Sequence, residues 1–448
     1  TFQSLIAIRT TKTPWSSGTM KPLPDETLSV GGYRQWQGRL DALDGLRWFA
    51  SLQVVFSHQA KFVPYLLWGS IWTQLFFLLS GFILAYSEMV KLPSKVPLTC
   101  WEYTWRRLRK IYPPYLLTVL ISMCQTSHTA FEWKILVLNV FLLQAWVPIV
   151  DESDPKNLMA STTSWVGVAW FLSALLLYWQ FLRPAARLAQ RMSMKQALLV
   201  LLFLWLGCTA VMCLIWMKVE IVSGYFKMVI LHEGPLGYMH VFLSGVVLAR
   251  IFVLILYVDA DTGEAPQVET ERLSLRGSDP EEALRLPCST FCKWGFTITL
   301  VFYGSCMTLI PVVYDSPSLA VAHNGGILPI LCLLLLTCGL EMDLFAPVLS
   351  SSVAKVLGRI SYCQYIIQGN VERLMFEHLK SNFWTFLPLY LAILILTAYL
   401  MEWMVSAVQE WLAQESLGQA APMILSESTE ESSSEDHRSV TDLWVCGL

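Results

Sequence analysis

The sequence predicts an all-α integral membrane protein with about ten transmembrane helices and one re-entrant or half-span segment, on three observations. Of 448 residues, 55% are hydrophobic and only 15% are charged, where a soluble domain carries about 25%. Mean hydropathy is +0.50. The apolar residues also fall into separate runs near 46–68, 70–90, 111–124, 163–182, 197–217, 236–257, 294–314, 325–340, 353–372 and 385–406. A helix needs about 20 residues to cross hydrocarbon, so each run is a candidate span. Runs 111–124 and 325–340 are short, and 353–372 is weakly apolar.

The remaining composition excludes several classes. Net charge is −3, so no global basic surface points to nucleic acid, and neither zinc-type nor dinucleotide-type spacing occurs. No metal site is expected. The eleven cysteines are scattered, with Cys208, Cys213, Cys332 and Cys338 inside apolar runs, and they read as small core residues.

Charge placement orders the spans. Arginine and lysine near span ends stay on the cytoplasmic side, which puts Arg106, Arg107, Arg109 and Lys110 on the same side as Arg183, Arg187, Arg191 and Lys195. An even number of crossings must separate the two clusters. A third run between them, 135–149, is interrupted by Asn139, Gln144 and Pro148. It is therefore demoted to a half-span buried in protein. Loops 250–293 and 341–359 then fall inside, 315–324 falls outside, and both termini are cytoplasmic.

Residues 1–39 read as an N-terminal cytoplasmic segment without the pattern of a cleaved leader. The multi-span domain covers 40–412, with a charged, Gly- and Pro-containing cytoplasmic insertion at 258–290. The tail 413–448 is acidic and serine-rich and is expected to be disordered.

Three stretches carry candidate chemistry. In LDGLRWFASLQVVFSH (43–58), Arg47 and His58 are eleven residues apart, about 20° from three whole helical turns, so they share a face with the histidine about 16 Å beyond the arginine. Ionisable residues in spans mark working sites or paired contacts. His58 reads as a general base or, equally, as a hydrogen-bonded polar plug. In SIWTQLFFLLSGFILAYSEMV (70–90), Ser80 and Gly81 interrupt the apolar run, a signal whose plainer reading is close helix packing. In WEYTWRRLRKIYPPYL (101–116), Arg106 and Arg109 share a helical face suited to clamping phosphates. Pro113-Pro114 then predicts a break or kink.

Taken together, these stretches resemble the N-terminal signature of the integral-membrane acyltransferase-3 family: an arginine and a histidine separated by ten residues, an F-F-x-L-S-G-F span and an R-x-x-R motif. GPLGYMHVFLSGVVLAR (234–250) and LGRISYCQYIIQGNV (357–371) resemble its later segments, so the likeness runs from about 40 to 405. Two positions depart: Leu175 or Leu176 stands where the family has a carboxylate, and Gln368 stands where a histidine is common.

The resemblance implies a membrane-embedded O-acyltransferase that moves acetyl or another acyl group from a coenzyme A thioester, a co-substrate and not a bound cofactor, to a hydroxyl of a carbohydrate or lipid-linked acceptor. It assigns catalysis to His58 and Arg47, donor binding to Arg106 and Arg109, and supporting roles to Asp44, Ser80 and Gly81. The competing reading is a transporter, or a degenerate member that retains only a binding cavity.

Overall fold

The structure, a computed structural model, describes residues 40–90, 99–125, 130–147, 149–151, 159–160, 165–218, 233–256, 293–309 and 321–424. The segments read as an N-terminal region (1–39) and a loop insertion (258–290) lie outside the described residues. Among the described residues every regular element is helical apart from a two-residue antiparallel pairing of β1 (Val150–Asp151) with β2 (Met159–Ala160).

Helix α1 spans Asp41–His58, and a 3-10 segment, Pro64–Trp72, leads into α2 (Thr73–Val90). Then follow α3 (Cys100–Gln125), α4 (Ala130–Val140) and α5 (Trp170–Gln190). Helix α6 (Met194–Phe203) continues through a π turn into α7 (Thr209–Lys218), followed by α8 (Met239–Leu256) and α9 (Gly295–Leu309). A second π turn, Ala322–Gly326, precedes α10 (Leu328–Gly339), and the chain closes with α11 (Ala346–Leu349), α12 (Ser352–Ser381) and α13 (Phe383–Ile424).

Four apolar helical stretches among the described residues are long enough to cross a membrane: Pro64–Val90, Met194–Ile215, Met239–Leu256 and Phe383–Trp411. They divide by burial. The first and third are 78% buried inside the protein, whereas the second and fourth are 11% and 17% buried. Leu198, Leu199, Leu202 and Phe203 of α6, with Leu396, Leu400 and Trp403 of α13, are exposed. Apolar surfaces of that kind suit hydrocarbon and not water.

Cross-helix contacts give the directions. Phe77 stacks on Tyr238 while Tyr86 meets Phe252, so α2 and α8 run parallel. Phe77 also meets Phe171, Glu88 pairs with Arg183, and the Asn324 carbonyl lies 3.3 Å from His240. Thus α5 and α10 share that direction. Helices α1, α3 and α12 run parallel to one another, since Arg47 meets Gly358 while Gln59 meets Glu372, and Tyr362 meets Ile111 while Asn370 meets Thr118. They run opposite to α5, because Thr104 meets Gln180 while Ser122 meets Trp165 just before α5. The basic residues near the starts of α3 (Arg106, Arg107, Arg109) and α12 (Lys355, Arg359) and near the end of α5 (Arg183, Arg187) therefore gather at one end of the bundle.

Three expectations need correction. Run 46–68 is not one helix, because Val63 is extended (φ −141°, ψ 93°) ahead of Pro64, which starts the 3-10 segment; proline disfavours a helical residue before it. Pro113-Pro114 does not break a helix but lies inside α3. Pro113 cannot donate to the Arg109 carbonyl, and that oxygen instead accepts from Gln409 Nε2 at 3.4 Å. Finally, α13 continues past residue 412 to Ile424, while 425–448 lies outside the described residues.

Candidate active site

The two motif stretches richest in polar residues meet along one seam. Gly45 of α1 lies against the Leu349 backbone, and Gly358 of α12 lies against the Asp44 backbone, at approaches that a Cβ on either glycine would obstruct. Small residues allow such close approach. Arg47, 5% exposed, donates from Nη2 to the Gly358 carbonyl at 2.7 Å and from Nε to Ser361 Oγ at 3.1 Å, and pairs with Asp44 at 3.2 Å. Ser51 Oγ donates to the Ser361 carbonyl at 3.2 Å, and Trp48 Nε1 to Gln364 Oε1 at 3.2 Å. Arg47 and Asp44 are thus brought together as a clamp between helices.

His58 stands at the other end of the same helix and does not touch Arg47. It is the last residue of α1, with an exposed side chain between the buried residues Ser57 and Gln59. Just beyond it the chain folds over Glu372 of α12: Gln59 Nε2 donates to Oε2 at 3.1 Å, and Lys61 pairs with Oε1. The charges of Glu372 and Lys61 both act on His58.

Between the two ends, α12 presents Ser361, Gln364, Gln368 and Glu372, a buried polar stripe at helical spacing. Gln364 Nε2 and Gln368 Oε1 have no hydrogen-bond partner. Such orphaned atoms are costly in an interior unless something occupies them. Gln368, at the position expected to hold histidine, donates only to the Tyr365 carbonyl one turn back, at 2.9 Å. Leu175 is fully buried and apolar.

Ser80 and Gly81 lie in the crossing of α2 with α8. A Cβ on Gly81 would overlap the Phe242 carbonyl, and one on Gly245 would overlap the Leu78 carbonyl, so each helix seats the other's backbone. The plainer reading of this pair, close packing, describes its geometry.

At the basic end, Thr99 caps α3: Glu102 N–H donates to Thr99 Oγ1, while the Thr99 N–H and hydroxyl bond the Glu102 carboxylate. These bonds, the backbone one foremost, hold the Glu102 carboxyl below its usual range. Arg106 and Arg109 are exposed, Arg109 lying 5.5 Å from the Trp105 ring. Arg107, which the sequence placed in the basic cluster but not among the donor-binding residues, is the buried one, 5.4 Å from the Tyr103 ring. Beside it is a cleft of about 410 Å³ lined in part by Glu88, Thr99, Arg183 and Arg187, in which Arg183 pairs with Glu88 at 3.4 Å.

A further cluster escaped the sequence reading. His323 Nε2 lies 2.7 Å from Ser70 Oγ, and its Nδ1 lies 3.3 Å from the Tyr238 hydroxyl. The signal was AHNGG, a polar, glycine-paired interruption between apolar runs. Gly325 there has φ +97°, a conformation that other residues rarely adopt.

The family model described as "Acyltransferase domain" matches residues 40–403. The chain belongs to this acyltransferase family. It is also 38% identical over 129 residues to Acyltransferase MdmB of Streptomyces mycarofaciens. That match covers 25% of this chain and 32% of the relative, so the chain spans about a third of that protein's length. No solved structure matches.

Proposed function

We propose that the protein is a membrane O-acyltransferase that takes an acyl group from a coenzyme A thioester and transfers it to a hydroxyl of a carbohydrate or lipid-linked acceptor. The observation that carries this reading is the α1–α12 seam. Arg47 locks the two helices at the basic end, so that His58 projects at the far end of a rigid α1, next to Glu372. Arg47, with Asp44, acts as a positioning residue. His58 acts as the base that takes the acceptor's proton. Arg106 and Arg109, exposed on α3 at the basic end, hold the donor phosphates.

The full topology in this reading has about ten crossings with both termini on the cytoplasmic side. The gathering of basic clusters at one end supports it. So does α4, which stops at Val140, after which Leu142 turns at φ 54° and Ala145 N–H donates to Ser173 Oγ, as a half-span would.

The competing reading, a binding cavity or transporter without catalysis, draws on Leu175 and Gln368. Labelled acetyl-CoA separates the two, because an enzyme hydrolyses it slowly or self-labels without acceptor, whereas a cavity only binds it. The acceptor is found by mass spectrometry of cell glycans and lipids with and without the gene. A class that loses one acyl group per molecule identifies it, and unchanged profiles contradict the proposal.

A further inference from the structure

We propose that Ser70, His323 and Tyr238 form an acyl-accepting centre, in which Ser70 Oγ carries the acyl group as an ester between the donor thioester and the acceptor hydroxyl. This deepens the acyl-transfer reading and rests on it.

The three residues come from three places in the chain that the topology brings to one end of the bundle. Ser70 lies just before α2, which begins at Thr73; Tyr238 immediately precedes α8, which begins at Met239; and His323 lies in the turn before α10, which begins at Leu328. The three helices run parallel, so their positive ends converge on the cluster. Negative charge that develops on a tetrahedral intermediate is favoured there. This is the end opposite the arginine-lined cleft and the same end as His58.

The turn that carries the imidazole is held from several sides. Gln74 Nε2 donates to the Ala322 carbonyl at 2.6 Å, and His240 Nε2 lies 3.3 Å from the Asn324 carbonyl. At Gly325 an added Cβ would lie 2.7 Å from both His240 Nε2 and Thr209 Oγ1, so the turn is closed upon without room to shift. Ser70 and His323 are half-buried while Tyr238 is 2% exposed; the nucleophile is reachable and its supporting tyrosine is not. Buried Glu233 acts electrostatically on Tyr238 from behind. Gln74 Oε1 and Thr209 Oγ1, both buried beside the turn, have no hydrogen-bond partner.

Ser70 Oγ is 2.7 Å from the Leu67 carbonyl and 2.7 Å from His323 Nε2, so rotation of one hydroxyl proton turns the serine from a local cap into a nucleophile facing a base. Then Nδ1–H of His323 donates to the Tyr238 oxygen. In the first half, Ser70 Oγ bonds to the thioester carbonyl carbon, its proton passes to His323 Nε2, and the carbon–sulfur bond breaks. The leaving thiolate takes a proton from water. In the second half, the acceptor hydroxyl gives its proton to His58 while its oxygen bonds to the ester carbonyl. The Ser70 oxygen leaves and regains its proton from His323, and His58 returns its own to solvent. No oxidant or reductant is needed.

The test uses the purified full chain in nanodiscs with two acyl sources, labelled acetyl-CoA and p-nitrophenyl acetate, followed by peptide mass spectrometry. Wild type and His58→Ala should each carry one acetyl on the peptide containing Ser70, and His58→Ala should retain it longer. Ser70→Ala should carry none, Ser70→Cys should be acylated as a thioester, and His323→Gln should label about 100-fold more slowly. Labelling of Ser70 by the nitrophenyl ester but not by acetyl-CoA supports the centre and removes the donor assignment. Folded Ser70→Ala that transfers acetyl from acetyl-CoA at the wild-type rate overturns the centre and leaves the donor assignment intact.

Discussion

Arg47 of α1 reaches across to α12 and donates to the Gly358 carbonyl at 2.7 Å, while its Nε bonds Ser361. One guanidinium thereby joins two motif stretches that lie more than three hundred positions apart. The bond to Asp44 completes the set. Lysine has no planar fork to reproduce it.

Arg47→Ala should therefore lower stability by about 3–5 kcal/mol, because it removes a buried charge that pairs with Asp44 and bonds α12. Arg47→Lys should recover only part of the loss. Ser361→Ala, which removes one neutral acceptor, should cost about 1 kcal/mol. Thermal unfolding in detergent, followed by size-exclusion chromatography, ranks the three, and an unchanged Arg47→Ala midpoint would remove the clamp.

The α2–α8 crossing gives a second prediction. Gly81→Ala or Gly245→Ala places a methyl against a facing backbone carbonyl, which cannot move without separating the helices, and either should lower the yield of folded protein. Gly304 and Gly369 meet nothing within 4 Å of an added Cβ. Their replacement by alanine should be neutral, or stabilising by up to about 1 kcal/mol. Equal behaviour of the two pairs in the same unfolding assay would contradict the packing account.

The sequence made this seam visible from one side only. Helical periodicity put Arg47 and His58 on one face of a single helix; α1 does contain both, with Arg47 buried against α12 and His58 exposed at its end. It could not supply the partner helix, because the pairing with Gly358 and Ser361 depends on long-range packing that local pattern does not encode. The weak hydropathy of 353–372 was a sign of it: α12 is polar because Ser361, Gln364, Gln368 and Glu372 face inward. Pro113-Pro114 misled for a related reason, since the carbonyl freed by Pro113 is satisfied by Gln409 on a distant helix. His323 was hidden by its place between runs, where only folding brings Ser70 and Tyr238 to it.

Topology gives a third prediction. Residues 106–110, 183–195 and 258–290 should share the cytoplasmic side with both termini. Cysteine-accessibility labelling that placed 183–195 opposite to 106–110 would make 135–149 a full span.

The acidic tail gives a fourth. Deleting 425–448 should leave expression and turnover near wild type, because SESTEESSSEDHRS carries too little apolar surface to offset the entropy of ordering. Cutting at 412 instead removes the last turns of α13 and should show whether they matter. Loss of folded protein on the shorter deletion would indicate that the tail docks.

The proposed function separates the donor from the chemistry along the length of the molecule, and the most direct measurement exploits that. Release of free coenzyme A thiol from acetyl-CoA is followed in nanodiscs with extracted cell glycans and lipids as acceptors, alongside donor binding by calorimetry. His58→Ala, shown to be folded, should lose turnover while its donor affinity stays within about twofold. Arg106→Ala with Arg109→Ala should weaken donor binding by roughly 1.5–3 kcal/mol for each guanidinium–phosphate hydrogen bond removed. Folded His58→Ala with near-wild-type turnover would make the histidine a polar plug and contradict the account at its centre.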